Sequence, residues 1–461
     1  MNWRYFILAP VFIITTVYMG RIITGAPFTI LSVAAAIVIG LIAFNNPENG
    51  LLVLVFSMLL SPEIRLADVP GRALTLRIDD LLIIAVFIAW LAHISMTRDW
   101  RGFVKTGLDL PIFLLLIVYV FGTARGIIFG SVNPLKSFFY LLKYIEYFIL
   151  FWLVTNIVTT RDAVSRYLTA GFITFIAVTL FAYSQFGHLY AVSAPFDKAG
   201  GEPASLGGYF LVVYAVLFGF LIHVESNNKR LLCLALIIFL LPPFVRTFSR
   251  ASYIAFAPMM LSMLAVTKKR RMIFGAVILA GVIIFPIIFQ GLYANMVKRI
   301  MVTFTGSHSS QYGTQIYKLG GQKINDQSAL ERIASWKWVI QHRFKRDQLT
   351  MLAGSGVTGL GFIEGQFFLV LGEGGIIGVI AFYWLMFRII AGSLRIYRSA
   401  TEVIPQSLSI AAMGGLIGLL FQSFTTNTFI IVRIMEPFWF LVALVMISPD
   451  IYTNEPPASV V

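Results

Sequence analysis

The feature that most limits what this chain can fold into is the length of its apolar runs. Segments such as 81–96, 163–186 and 366–390 are of the size needed to cross a hydrocarbon core, which takes roughly 20 helical residues. A lipid-exposed backbone must satisfy its hydrogen bonds within the segment or in a closed barrel. Barrel strands alternate apolar and polar residues over short stretches, and no such alternation dominates. The expected fold class is therefore all-α: a polytopic transmembrane helical protein. Charged residues make up 12% of the chain, against about 25% in a soluble domain, which leaves no room for a large independent soluble domain.

Hydropathy windows give about 14 spans, with 12 as a lower figure if short runs fail to cross. They fall near 5–20, 28–44, 49–61, 80–96, 110–124, 138–157, 164–186, 205–224, 231–246, 249–267, 272–289, 366–390, 407–424 and 428–447. The first run is read as a retained helix, because Arg21 and a second apolar run follow it without a small-x-small cleavage site. The third run is short and is open to a re-entrant course. Pro242–Pro243 is expected to kink or end the ninth. One cysteine, Cys233, rules out an intrachain disulfide.

Net charge is +14, and basic residues at membrane faces report cytoplasmic loops rather than nucleic-acid binding. Anchoring Lys268–Lys269–Arg270–Arg271 in the cytoplasm puts Arg98/Arg101/Lys105, Arg161/Arg166, Lys229/Arg230 and Arg395/Arg398 there too. Both termini fall on the same side. Three segments result: a transmembrane bundle over 1–289, a long outer segment over 290–365, and further spans over 366–461.

The outer segment carries Lys298, Arg299, Lys318, Lys323, Arg332, Lys337, Arg343, Lys345 and Arg346 against Asp326, Glu331 and Asp347. Such a surplus suits an anionic ligand such as a phosphate or pyrophosphate headgroup. A solvated face on anionic lipid explains the lysines as well. Within the segment, 328–343 (SALERIASWKWVIQHR) repeats apolar residues at helical spacing, predicting an amphipathic helix. Residues 307–321, rich in Gly, Ser, Thr and Gln, predict a loop.

Arg246 and Arg250 lie where spans nine and ten meet, in FVRTFSRAS. Snorkelling explains either alone, whereas two arginines a helical turn apart can fork around phosphate oxygens together. The glycine-rich stretch 354–361 (GSGVTGLG) allows close backbone approach and is a weak candidate for an anion cradle. Glu364 stands at the lip of the next span, where it is either a base or the partner of a nearby arginine. Asp79–Asp80, adjacent at the start of the fourth span, are read as capping residues. No Walker-type loop and no His/Cys cluster of metal-ligand spacing occurs, so neither a metal nor another cofactor is expected.

Taken in order, Ser249–Arg250, Arg332 with Trp336, the Gly-x-Gly stretch, Glu364-x-Gln366 and Glu373-x-Gly375…Gly378 resemble the O-antigen ligase and polymerase superfamily of bacterial envelope glycan enzymes. The similarity covers roughly residues 185–390; the earlier spans match in hydropathy alone. It implies a metal-independent, inverting glycosyltransferase of the GT-C type in the bacterial inner membrane. The donor would be a glycan on undecaprenyl pyrophosphate, used at the periplasmic face, with a chain-length regulator as a further partner. By that resemblance Arg250 and Arg332 bind the pyrophosphate. Where the ligases carry a His-Asn pair, this chain has Glu364 and Gly365; polymerase relatives commonly carry an acidic residue there. The expectation is thus a polymerase of O-antigen, capsule or exopolysaccharide repeats, with Glu364 as base and Arg246 assisting. Arg343 begins an Arg-x10-Gly spacing, ending at Gly354, that is noted in some polymerases. Glycine occupies 37 of 461 positions, so composition alone produces that spacing about 8% of the time and it adds little. The alternatives are a ligase-type transferase to a lipid or protein acceptor, and a lipid-linked glycan flippase with Lys143 and Glu146 on its path.

Overall fold

In the computed structural model the described residues are 38–67, 74–97, 103–189, 191–197, 203–305, 317–319, 322–324, 327–344, 348–360 and 363–453. The run expected at 5–20 and most of that at 28–44 lie outside them, although 38–45 is helical. Among the described residues ten helices are long and apolar enough to cross a bilayer, so the protein is a polytopic helical membrane protein.

The first unit holds segments from 38–106, 145–202 and 432–453. Helix α1 (Pro47–Leu60) begins with Pro47 behind Asn46, whose side chain accepts the Glu48 amide at 3.0 Å. A two-stranded antiparallel ribbon follows, β1 (Glu63–Ala67) with β2 (Leu74–Arg77). It leads directly into α2 (Ile78–Thr97). Helix α5 (Arg161–Ser184) is capped by Thr160, whose hydroxyl accepts the Ala163 amide. It packs on α1, where the Tyr167 hydroxyl donates to the Glu48 carbonyl at 3.0 Å. The last helix, α15 (Val432–Thr453), places Trp439 edge-on to Phe148 and Phe151 of α4 (Pro134–Ile157). Helix α4 is continuous, its residues to Tyr144 belonging to the other unit.

The second unit holds 107–144 and described residues of 203–431. Its spans are α3 (Asp109–Ile128), α6 (Pro203–His223), α7 (Asn227–Arg246), the shorter α8 (Arg250–Val266), α9 (Arg271–Ile288), α13 (Gln366–Ser399) and α14 (Val403–Gln422). At its centre α14 packs against α6, α8 and α13. The contacts are close because small residues meet there. A side chain at Gly219 would strike the Ser407 carbonyl, and one at Gly418 would come within 3.2 Å of Met259 Cβ. Small residues at helix crossings are how apolar helices gain van der Waals contact without a hydrophobic driving force. Helix α9, by contrast, buries only Phe274.

Pro242 and Pro243 lie inside α7, which ends three residues after Pro243, at Arg246. Two expectations from sequence change here. Residues 290–305, read as outer segment, form helix α10 (Gln290–Thr305). Part of the expected loop at 307–321 is strand β3 (Tyr317–Leu319), paired with β4 (Gln322–Ile324); Gly320 and Gly321 separate the two in sequence. The amphipathic segment is helical as expected, running as α11 (Gln327–Trp338) into a wider π turn, Val339–Phe344. It is followed by the short α12 (Gln348–Ala353).

Candidate functional site

Helix α11 owes its position to its apolar face. Trp336 stacks on Phe368, the third residue of α13, with ring centroids 4.8 Å apart and planes 12° apart. Val339, one turn on, is buried with Leu360 and Ile363. The Trp336 indole N–H donates to the Glu364 carbonyl at 2.6 Å, so the ring is held by stacking at one side and a hydrogen bond at its polar edge. Arg332 lies four residues before Trp336 and therefore on the same helix face. From there its Nε donates to Oε2 of Glu364. Two residues singled out by sequence, 32 positions apart, thus form one ion pair. Glu364 has the arginine partner that the bland alternative required, and that partner is the candidate pyrophosphate ligand. The bond uses Nε, so the Nη groups of Arg332 are not spent on it.

Gly365 explains how the backbone reaches this arrangement. Its φ is +104°, and a side chain there would lie 3.0 Å from Trp336 Nε1 and 3.1 Å from the Phe424 carbonyl. A residue with a Cβ would therefore be strained and would push the indole from the Glu364 carbonyl.

Behind this pair sits a buried amide network. The Gln366 amide donates to the Ser423 carbonyl at 2.9 Å, and its side-chain Oε1 accepts the Phe429 amide at 3.1 Å. Asn427 Nδ2 donates to the Ile363 carbonyl. Gln422, at the end of α14, donates through Nε2 to the Ala204 carbonyl at 2.8 Å and to Ser252 Oγ at 2.9 Å. Its Oε1 accepts the Thr428 hydroxyl at 3.2 Å. Ser252 in turn donates to Ser249 Oγ at 2.8 Å. Ser249 is the N-cap of α8 and accepts the Ser252 amide. The network therefore ties the segment around Glu364 to the start of α8, whose first residue is Arg250.

The two span-edge arginines do not share a helix turn, contrary to the expectation from their spacing. Arg246 ends α7 and Arg250 begins α8. The elbow between them contains Phe248 with φ +51°. Thr247 holds the elbow, donating to the Phe244 carbonyl at 2.7 Å and accepting the Ser249 amide at 3.3 Å. The four-residue spacing, which reads as one turn, is broken by this corner. Both arginines are half-buried. Arg343 lies in the π turn, and its side chain is outside the described residues.

In the glycine-rich stretch the amides of residues 354–359 are used within the protein. Ser355 N donates to the Gly372 carbonyl at 2.8 Å and Gly356 N to the Glu373 carbonyl at 3.0 Å. Val357 N donates to Thr123 Oγ1 at 3.1 Å, and Thr358 N to Oε1 of Glu373 at 2.8 Å. Glu373 also accepts the Tyr144 hydroxyl at 3.2 Å. The partner for this stretch is a break in α13 at Gly375, with φ +66° and ψ −163°. Arg125 of α3 closes the knot through the Gly354 carbonyl (2.9 Å) and Thr350 Oγ1 (2.7 Å).

Sequence reading passed over Gln422, Asn427, Arg125 and, in the first unit, Glu436. All are polar or charged side chains within or beside apolar runs, and that signal marks a function or a bonded network by default. Glu436 of α15 and the Asp79–Asp80 pair of α2 offer carboxylate oxygens that lie within 4.8 Å of one another. The capping expected of that pair holds for Asp80, which accepts the Arg77 amide at 2.9 Å.

No family model matches the chain, and no curated protein matches it.

Proposed function

We propose that the protein is a polymerase of bacterial envelope polysaccharide, transferring a glycan from undecaprenyl pyrophosphate to another lipid-linked repeat unit. The observation that carries this is the contact of Arg332 with Glu364 at a helix lip tied to the Ser249–Arg250 element. In this scheme the acceptor hydroxyl oxygen attacks the anomeric carbon of the donor. The bond from that carbon to the diphosphate oxygen breaks with inversion, and the electron pair leaves with the lipid diphosphate. Arg250 and Arg332, assisted by Arg246 and Arg343, match the charge on the leaving group. Fixed donors in a site of low dielectric are worth several kcal/mol there. Glu364, paired with Arg332, takes the hydroxyl proton. No metal is assigned to these steps. The positive-inside pattern supports a periplasmic position for this end of the spans, with both termini cytoplasmic.

A second class of function, a lipid-linked glycan carrier, is favoured by one observation: several buried charged side chains in the first unit, including Asp79, Asp80, Glu146 and Glu436. A ligase remains the alternative within the transferase class. Chain lengths in cells distinguish them. Cells carrying Arg250→Ala or Arg332→Ala should accumulate single repeats on the lipid and lose long chains. Normal chain lengths in both variants would overturn the mechanism. Loss of periplasmic single repeats would favour the carrier.

A further inference from the structure

In the first unit the start of α2 and the start of α15 bring together three carboxylates, Asp79, Asp80 and Glu436, all buried. One guanidinium accompanies them. Arg77 Nη2 pairs with Asp79 Oδ2 at 2.5 Å and donates to the Met58 carbonyl at 2.7 Å. The Asp79 amide is fixed by Ser61 Oγ at 3.0 Å. Glu146 and Tyr147 of α4 face the same group. Glu436 is 0% exposed, and among the described residues neither of its carboxylate oxygens has a hydrogen-bond partner. A carboxylate that buried, with both oxygens unsatisfied and two further carboxylates in front of it, needs a counter-charge or a proton.

We infer that Asp79, Asp80 and Glu436 bind a divalent metal cation of the hard, oxygen-preferring class. Asp79, Asp80, Glu436 and the neighbouring Glu146 against the Arg77 guanidinium leave three negative charges when all are ionised, of which a divalent cation offsets two. Oxygens bound to Ca²⁺ at about 2.3–2.6 Å lie up to about 5 Å apart across the ion. The separations, all within 4.8 Å, lie within that limit. Mg²⁺, with bonds of about 2.0–2.1 Å, fits only the closer part of that range, so the larger ion is favoured. Arg77 serves as the outer partner that orients Asp79. In this reading the ion holds the start of two spans of the first unit together.

The test uses the purified full-length chain, stripped with EDTA and checked for monodispersity. It is titrated separately with Ca²⁺, Mg²⁺, Mn²⁺ and Na⁺ while thermal unfolding is followed. Tb³⁺ luminescence excited through tyrosine gives a direct binding signal, with Tyr147 as the neighbouring ring. Wild type should gain thermal stability with Ca²⁺ foremost and bind about one ion per chain at this site. Glu436→Gln and Asp80→Asn should each weaken binding by about tenfold or more. Glu436→Gln without metal should unfold no earlier than stripped wild type, because it removes a repelling charge; a merely structural glutamate would make it less stable. The inference is overturned if no divalent ion shifts wild-type unfolding. It is equally overturned if Na⁺ alone gives the shift, or if Glu436→Gln responds as wild type does.

Discussion

Arg332 and Glu364 form an ion pair across 32 positions of sequence, and that pair exists because Trp336, one turn along the same helix, is clamped between Phe368 and the Glu364 backbone carbonyl. The aromatic contact is the hinge of the site. It turns an amphipathic surface helix into a fixed mount for a guanidinium at the lip of a span.

Removing either charge should therefore harm activity more than stability. Both side chains retain solvent contact, with 20% and 34% of their surface exposed, so the pair itself adds little to folding. Glu364→Gln should lower the transfer rate by about 10²-fold or more, with unfolding temperature nearly unchanged. A rate within about threefold of wild type would remove Glu364 from the role of base.

Trp336→Ala tests the mount separately from the charges. It removes the stack on Phe368 and the bond to the Glu364 carbonyl while leaving both ionic groups present. Aromatic pairs of this kind add about 0.5–1.5 kcal/mol beyond burial. The expected result is lost transfer activity and faster proteolytic cleavage within 327–344, measured by limited digestion.

Gly375 sits in a backbone region that is essentially glycine's own, with φ +66° and ψ −163°. A Cβ there would also strike the Leu352 carbonyl. Gly375→Ala should cost about 1–3 kcal/mol, visible as a lower unfolding temperature of the purified protein. An unchanged temperature would mean that the break in α13 can be straightened.

The buried pair of Arg433 with Asp197 in the first unit should show the asymmetry of such pairs. Asp197→Ala removes a carboxylate partner of the buried Arg433 guanidinium and should cost about 3–5 kcal/mol. The double change with Arg433→Met should recover part of that loss. A double-mutant cycle on thermal unfolding measures the coupling.

Much of the helical order was legible in the sequence, because crossing a bilayer demands long apolar runs and those are visible without any structure. The span expected at 138–157 is helix Pro134–Ile157, and that at 272–289 is Arg271–Ile288. The amphipathic helix was legible for the same reason, since Ile333, Trp336 and Ile340 recur at helical spacing. Breaks were less visible. Arg246 and Arg250 read as one turn because spacing carries no record of the corner at Phe248. The glycines of 354–361 read as a ligand cradle because their true partner, the kink at Gly375, lies in another segment. Glu436 is one acidic residue in an apolar run, and only the fold places Asp79 and Asp80 before it.

The central claim is tested most directly by incubating purified wild type and Arg332→Ala side by side with a synthetic undecaprenyl-pyrophosphate repeat unit, without nucleotide. Lipid-linked products are then separated by length. A ladder of longer lipid-linked glycans from wild type, shortened or lost in the variant while its fold is intact, is the predicted result. No ladder from folded wild type across several repeat units, or equal ladders from both proteins, would contradict it.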